Sequence, residues 1–293
     1  MPASAMATQI HAGRPVRSGF GDGMLAIGHL KLFADGALGP RTAWMLEPYE
    51  GTADTGIPTL RPEELRADIA RARAAGLACA VHAIGDAAVR AVLDAFEAAG
   101  GDTAAGGDTA PGGDTAAAHP PMPDRIEHVQ LVSPSDLPRL ARLGVAASMQ
   151  PIHATSDRDI ADRHWGARTA TAYAWRSVLA AGADLTFGSD CPVETISPLA
   201  GIHAAVTRRR ADGSPGPDGW RPEQRLTVEQ AVRAFTLGAA RAAGRGEEAG
   251  TIEPGRLADF TVLEADPFVT DPHEIRGVPV RATVVDGRVR WGS

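Results

Sequence analysis

The chain has 293 residues, of which 22% are charged and 44% hydrophobic, and these proportions are ordinary for a globular protein. Its formal net charge of -7 argues against a nucleic-acid partner, and no apolar run reaches the ~18 residues that a membrane-spanning helix needs. The length allows one large domain or two smaller ones. One short basic run, formed by Arg208, Arg209 and Arg210, is predicted to be a solvated helix end.

The two cysteines and the start of the chain bear on location. Cys79 and Cys191 do not have the spacing of a disulfide framework, which favours a reducing compartment. Residues 1–14 are small and polar, without a basic cap, an apolar core or a cleavage site. We therefore expect a disordered lead-in and a cytoplasmic protein.

Short β-type runs alternate with helical patterns through most of the chain. Residues 62–75 place Leu65, Ile69 and Ala72 on one helical face, and residues 86–98 show the same periodicity. Strands are predicted at residues 30–33, 77–82, 125–129, 145–149 and 185–187. The alternation predicts parallel βαβ units and therefore an α/β fold.

Two further helices and two loops are predicted from local signals. A helix is expected to begin at Ser133 and Pro134, and Thr227 with Gln230 forms a capping box before another. In residues 100–118 the polar segment Gly-Gly-Asp-Thr-Ala occurs three times with a period of six residues. This repeat predicts a disordered surface insertion. Residues 211–222 are rich in Gly, Pro and Asp and are predicted to be a loop.

From residue 250 the pattern changes to short β runs alone. These are expected at residues 259–263, 282–285 and 288–291, with Asp286 and Gly287 as a tight hairpin turn. We therefore predict two domains, an α/β part over residues 16–249 and a small β part over residues 250–293.

Three side chains capable of binding metal end predicted strands. His82 and His128 close two successive strands, and Asp190 closes a later one. Because the C-terminal ends of parallel strands in a barrel meet on one face, these groups are expected to lie together, and zinc is commonly held by imidazole and carboxylate ligands. The alternatives are hydrogen-bonded structural histidines and, for Asp190, a turn or N-cap residue.

Lys31 is a less obvious candidate, because a protonated amine has no lone pair. Buried and deprotonated, a lysine can react with carbon dioxide to give a carbamate that bridges two metals. The alternative is an ion pair between Lys31 and Asp35.

Five segments occur in an order typical of one family, and with them the chain resembles the amidohydrolase superfamily, specifically its amidohydrolase 3 branch. The segments are residues 31–43, 82–86, 125–128, 149–153 and 188–193. Residues 250–259 are similar to the segment by which these enzymes return from a barrel to a β-sandwich. The resemblance implies a partial TIM-type (β/α) barrel, strands 4 to 8, with part of a β-sandwich at the C-terminus.

The resemblance also implies roles for individual residues. Lys31 matches the lysine that is often carboxylated, His82 and His128 the paired metal ligands after the fifth and sixth strands, and Asp190 the aspartate after the eighth. His153 matches a histidine after the seventh strand, which is expected to contact substrate unless it is a polar rim residue. Asp35 is assigned to substrate contact as well.

The implied activity is hydrolysis of a C–N bond in a small amide-like or N-formyl substrate by metal-activated water. Asp190 would act as general base and then general acid, with one or two divalent ions, preferably zinc, as cofactor. No Gly-rich phosphate loop follows a strand, which disfavours a nucleotide- or sugar-binding protein.

One departure limits the resemblance. The family carries a His-X-His pair after its first strand, whereas none of the nine histidines here has another two positions away. We therefore expect either a missing N-terminal segment or a partner subunit. The partner could be a second copy of the chain in a homo-oligomer. The alternative is a catalytically inactive remnant, or a subunit that contributes half of a site.

Overall fold

The computed structural model describes residues 17–100 and 121–292, and its centre is a five-stranded parallel sheet. The strands hydrogen-bond to each other in chain order: β1 (Leu30–Phe33), β2 (Cys79–Ala83), β3 (Arg125–His128), β4 (Ala146–Met149) and β5 (Leu185–Phe187). All five strands expected from the sequence are therefore confirmed. The expected lead-in, and the expected insertion beyond Gly100, lie outside the described residues.

At least one helix lies between each strand and the next, as a parallel sheet requires. The helices are α1 (Pro62–Ala74), α2 (Asp86–Ala98), α3 (Leu137–Arg142), α4 (Pro151–Trp165), α5 (Trp175–Ala180), α6 (Pro198–Thr207), α7 (Val228–Arg233) and α8 (Ala239–Ala242). The sequence predicted α1, α2, α3 and α7, although α3 begins at Leu137 rather than at Ser133. The expected capping box of α7 is confirmed, since the backbone N–H of Gln230 donates to Thr227 Oγ1 at 3.1 Å.

The register of the sheet separates an apolar face from a polar one. One row of paired residues is apolar and buried, and consists of Leu32, Val81, Ile126, Ala147 and Leu185. Side chains alternate along a strand, so the next row lies on the opposite face. That row consists of Phe33, His82, Glu127, Ser148 and Thr186. The apolar row packs in the hydrophobic core, which also contains helix residues such as Leu65 and Val92. The opposite row supplies polar side chains that are available for a functional site.

The C-terminal part forms a separate antiparallel sheet. Its strands are β6 (Phe260–Leu263), β7 (Val280–Val285) and β8 (Arg288–Gly292), paired in that order. The predicted hairpin turn is confirmed: Asp286 and Gly287 have φ values of 52° and 68°, as the tight turn between β7 and β8 requires. Closure into a barrel, a β-sandwich and the division at residue 250 stay predictions.

The predicted solvated arginine run is wrong for Arg208, whose side chain is fully buried. Its backbone is left-handed, with φ 57°, where α6 ends, and this turns the side chain inward. The guanidinium lies 4.3 Å from the ring centre of Trp175 and 5.0 Å from that of Trp220. It donates to the carbonyl oxygens of Tyr173 and Trp220, at 2.9 and 2.7 Å. Two aromatic faces therefore replace water around this cation.

Among the described residues, no helix combines the length and apolarity needed to cross a bilayer.

A buried histidine on α6 predicts acid sensitivity. Burial, reinforced by Arg276, His273 and Arg209, lowers the pKa of His203 from 6.5 to about 4. Between pH 6.5 and 4 the unfolded chain therefore binds a proton at His203 that the folded chain does not. The free energy of unfolding is highest above pH 6.5 and decreases as the pH falls through this range. We expect a loss on the order of 2 kcal/mol from His203 between pH 7 and 4. Urea denaturation should show a shallower pH slope in His203→Gln, and an unchanged slope would contradict the assignment.

Candidate metal and catalytic site

Asp35 ties the loop after β1 to the end of β2. Its buried carboxylate accepts three backbone N–H groups, from Trp44 at 2.8 Å, Gly85 at 2.9 Å and Ile84 at 3.0 Å. Burial raises the pKa of Asp35 to about 7, while the three donors favour the anion. Both oxygens are occupied by the main chain, so the expected contact with substrate stays a prediction. The same partners replace the ion pair with Lys31 that was considered above.

The two loops approach so closely that only glycine fits at position 85. A Cβ atom there would lie 2.0 Å from the carbonyl oxygen of Trp44. That oxygen also accepts the N–H groups of Ala87 and Ala88, at 3.2 and 3.3 Å, in the first turn of α2. The loop after β1 is therefore held against β2 and α2 by backbone contacts as well as by Asp35.

We expect Asp35→Ala to destabilise the protein by about 3 kcal/mol, because two buried N–H groups and one partly buried N–H group lose their acceptor. The matched control is Asp54→Ala, which removes one exposed contact, to the N–H of Gly56 at 2.9 Å. Urea denaturation of both variants measures the difference. Equal midpoints for the two variants would refute the structural role of Asp35.

His82 lies on the polar face of β2 and is half-buried. Its Nε2 is 2.7 Å from the carbonyl oxygen of Gly36, and a carbonyl only accepts, so Nε2 carries the proton. Burial lowers the pKa of His82 and favours the neutral ring. Nδ1 is therefore the nitrogen that His82 can offer to a metal.

His128 ends β3 and is buried, with a ring centre 4.6 Å from that of His82. Its Nδ1 is 2.8 Å from Oε1 of Gln150. Burial, followed by repulsion from His82 when that ring is protonated, lowers the pKa of His128 to about 3, so the ring is neutral near pH 7. The nitrogen left free for a ligand is Nε2.

His153 lies in the first turn of α4 and brings a second imidazole to this point. Its ring is stacked with that of His128, the centres 5.8 Å apart, and Nε2 is 3.8 Å from Oδ2 of Asp190. Both ring nitrogens are buried and neither has a hydrogen-bond partner. Leaving buried polar atoms unpaired costs about 1–3 kcal/mol each. This arrangement indicates that a ligand belongs between His153 and its neighbours.

Asp190 completes the group from the loop after β5. Its φ is 56°, and 40% of its side chain is exposed. His128, His153 and Asp190 each offer one ligand atom, and these three atoms lie within 4.8 Å of one another. Two imidazoles and a carboxylate with a partly exposed side form a donor set that could hold a divalent metal ion.

Of the four expected metal ligands, His128 and Asp190 therefore meet, with His153 as their third member. His82 lies beside them. The amine of Lys31 lies over Phe33, with Nζ 4.9 Å from the ring centre. Burial lowers the pKa of Lys31, the direction that carbamate formation needs, although the charges of nearby carboxylates oppose the shift.

Sequence reasoning missed Gln150, although its segment was recognised. The available signal was a polar residue between the end of β4 and Pro151. That position places a side chain at the same sheet edge as the other strand-end residues.

Comparisons with known proteins place the chain in a family. A family model described as "Amidohydrolase family" matches residues 4–290. The amidohydrolase-type protein YtcJ of Bacillus subtilis is 36% identical over 267 residues, which is 89% of this chain and 46% of that protein. N-substituted formamide deformylase of Arthrobacter pascens is 30% identical over 227 residues, 75% of this chain and 38% of that enzyme. The chain thus spans less than half the length of these relatives.

Solved structures show the same relation. An uncharacterized metal-dependent hydrolase from Pyrococcus horikoshii superposes with a TM-score of 0.77 at 31% identity, over 92% of this chain and 50% of that one. A similar hydrolase from Pyrococcus furiosus gives 0.73 at 31% identity, over 91% and 50%. The fold of the chain is therefore similar to that of metal-dependent hydrolases over about half of their length.

Proposed function

The chain belongs to the amidohydrolase family, and we propose that it takes part in metal-dependent hydrolysis of a C–N bond in a small amide-like or N-formyl substrate. The observation that carries the proposal is the convergence of His128, His153 and Asp190, with both nitrogens of His153 buried and unpaired. Such a donor set fits a divalent metal, and imidazole with carboxylate favours zinc over magnesium or calcium.

The proposal assigns the primary metal position to this chain's own His128, His153 and Asp190. His82 is placed beside it, with Nδ1 available, and Lys31 is proposed to contribute as a carbamate if a second metal binds. None of the nine histidines forms a His-X-His pair, which is why we place only one ion with these residues.

The chemistry divides between the metal and the protein. A divalent ion on these donors supplies Lewis acidity, which lowers the pKa of water toward about 7 and polarises a carbonyl group. Asp190 accepts the proton of the attacking water and returns it to the departing nitrogen, as base and then acid. Its exposed side chain is open to that exchange. The neutral rings of His128 and His82 keep lone pairs available for binding.

The substrate class rests on the similarity to the named deformylase and on the openness of the site. The strand-end side chains are polar, and Phe33 is 49% exposed beside His82, their ring centres 5.3 Å apart. This combination suits a polar reacting group that carries an apolar substituent. The cytoplasmic location, expected from the spacing of the two cysteines and the composition of residues 1–14, stays a prediction.

The test is hydrolysis of a panel of N-formyl amines, secondary amides and dipeptides by the purified chain. Assays use protein as isolated, after chelation, and after reloading with zinc. We expect one readily removed zinc per chain, and turnover of N-formyl or amide substrates that chelation abolishes and zinc restores. Turnover that survives exhaustive chelation would overturn the proposal. A metal-loaded chain that turns over no member of the panel would support the inactive remnant or half-site subunit.

A further inference from the structure

Gln150 occupies a buried position between the end of β4 and the start of α4, and it contacts His128 directly. It is 6% exposed. Its side-chain Oε1 lies 2.8 Å from His128 Nδ1, and its Nε2 lies 3.4 Å from the carbonyl oxygen of Ser148. The second contact orients the amide, because the flipped orientation would set Oε1 against another carbonyl oxygen.

This orientation selects one tautomer of His128. An amide oxygen only accepts, so the hydrogen of the shared bond belongs to His128 Nδ1. Nε2 is then the unprotonated nitrogen. The loss of the acceptor would free the ring to exchange tautomers and to rotate about its side-chain bonds.

The backbone of Gln150 is itself constrained. Pro151 follows it and disfavours helical geometry at position 150, and the observed φ and ψ of -124° and 104° are extended. Its neighbours are also tied: the N–H of His153 donates to the Gln150 carbonyl at 3.1 Å, and that of Gly188 donates to Met149 at 3.2 Å. Gln150 is therefore a fixed support, joined to the strand ends before and after it.

We propose that Gln150 is a positioning residue that holds His128 with Nδ1 protonated and Nε2 presented to the metal. This inference rests on the metal site of the proposed function. It assigns no step of the reaction to Gln150, which acts only through His128.

The first experiment measures zinc affinity of the metal-free full chain by competition with a chromophoric chelator. Gln150→Leu removes the acceptor, and we expect 10- to 100-fold weaker binding, typical of losing a hydrogen bond behind a ligand. Gln150→Glu keeps an acceptor and should bind zinc within threefold of the parent or more tightly. The matched control is Gln224→Leu, which removes an equally buried glutamine bonded to Ser177. It should lower Tm and leave zinc affinity unchanged.

The second experiment determines the tautomer of His128 by NMR and needs no substitution of Gln150. In protein carrying ¹⁵N-histidine, with the His128 signals assigned by comparison with His128→Asn, we expect protonated Nδ1 and unprotonated Nε2. The opposite tautomer, or an equal mixture, would overturn the inference. So would unchanged zinc affinity in a folded Gln150→Leu protein.

The two proposals can fail separately. A chain that binds zinc in a Gln150-dependent manner and hydrolyses nothing would contradict the proposed function and leave the role of Gln150 standing. Hydrolysis by a chain whose zinc affinity is unchanged by substitution of Gln150 would support the proposed function and contradict the role of Gln150.

Discussion

Asp190→Asn is expected to lower kcat by about 1000-fold, because the amide keeps the size of the side chain but cannot accept the proton of the attacking water. Zinc affinity should fall as well, since the carboxylate belongs to the donor group with His128 and His153. The measurement is steady-state hydrolysis at saturating zinc, so that occupancy and chemistry are separated.

The matched control is Asp184→Asn, at the other end of β5. Asp184 is exposed and lies 3.6 Å from Arg241, the range of a surface ion pair that contributes little. We expect its kcat within twofold of the parent. Wild-type turnover in zinc-loaded Asp190→Asn would remove Asp190 from the catalytic role.

Arg208→Ala should destabilise the protein by about 3–5 kcal/mol, since it opens a cavity and leaves buried carbonyl oxygens without a donor. The oxygens are those of Tyr173 and Trp220, and the cavity lies between Trp175 and Trp220. Burial lowers the pKa of Arg208 to about 9, which still leaves it charged near pH 7.

Two comparisons separate packing from charge. Arg208→Met restores much of the volume without the donors, so an intermediate loss is expected. Arg209→Ala removes a half-buried neighbour from the same run and should cost about 1 kcal/mol or less. Guanidinium denaturation of the three variants gives the order of their free energies of unfolding. Equal losses for Arg208→Ala and Arg209→Ala would contradict a stabilising role for the enclosure of Arg208 by Trp175 and Trp220.

Strands β1, β2, β4 and β5 could be predicted because each is a short, mainly apolar run before a turn, whereas Ile126 is the one apolar residue of β3. Helix α4 could not be predicted in this way. Its buried face includes His153 and Thr155 together with Ala154 and Ala161, so no apolar stripe marks it. One of these buried polar residues, His153, belongs to the candidate site.

The candidate site was predictable in its members and not in its grouping. Strand-end placement was enough to select His128 and Asp190. Whether His153 points toward them depends on the direction of the first turn of α4, and the position of the Lys31 amine depends on how its side chain lies over Phe33. Both are tertiary outcomes that spacing along the chain does not encode.

The burial of Arg208 was unpredictable for a similar reason. Three successive arginines are typical of a solvated surface. The two rings that enclose this one lie 33 positions before it and 12 after it, at Trp175 and Trp220, and only the folded chain brings them together.

The backbone at the strand ends has a consequence for how the protein could change. His128, Val129 and Asp190 have φ values of 80°, 44° and 56°, and such conformations cost about 1–3 kcal/mol each in residues other than glycine. Glycine at these positions would relieve the cost and remove two of the proposed metal ligands, His128 and Asp190. Selection for thermal stability alone would therefore favour the loss of His128 and Asp190, and it would act against the proposed metal site.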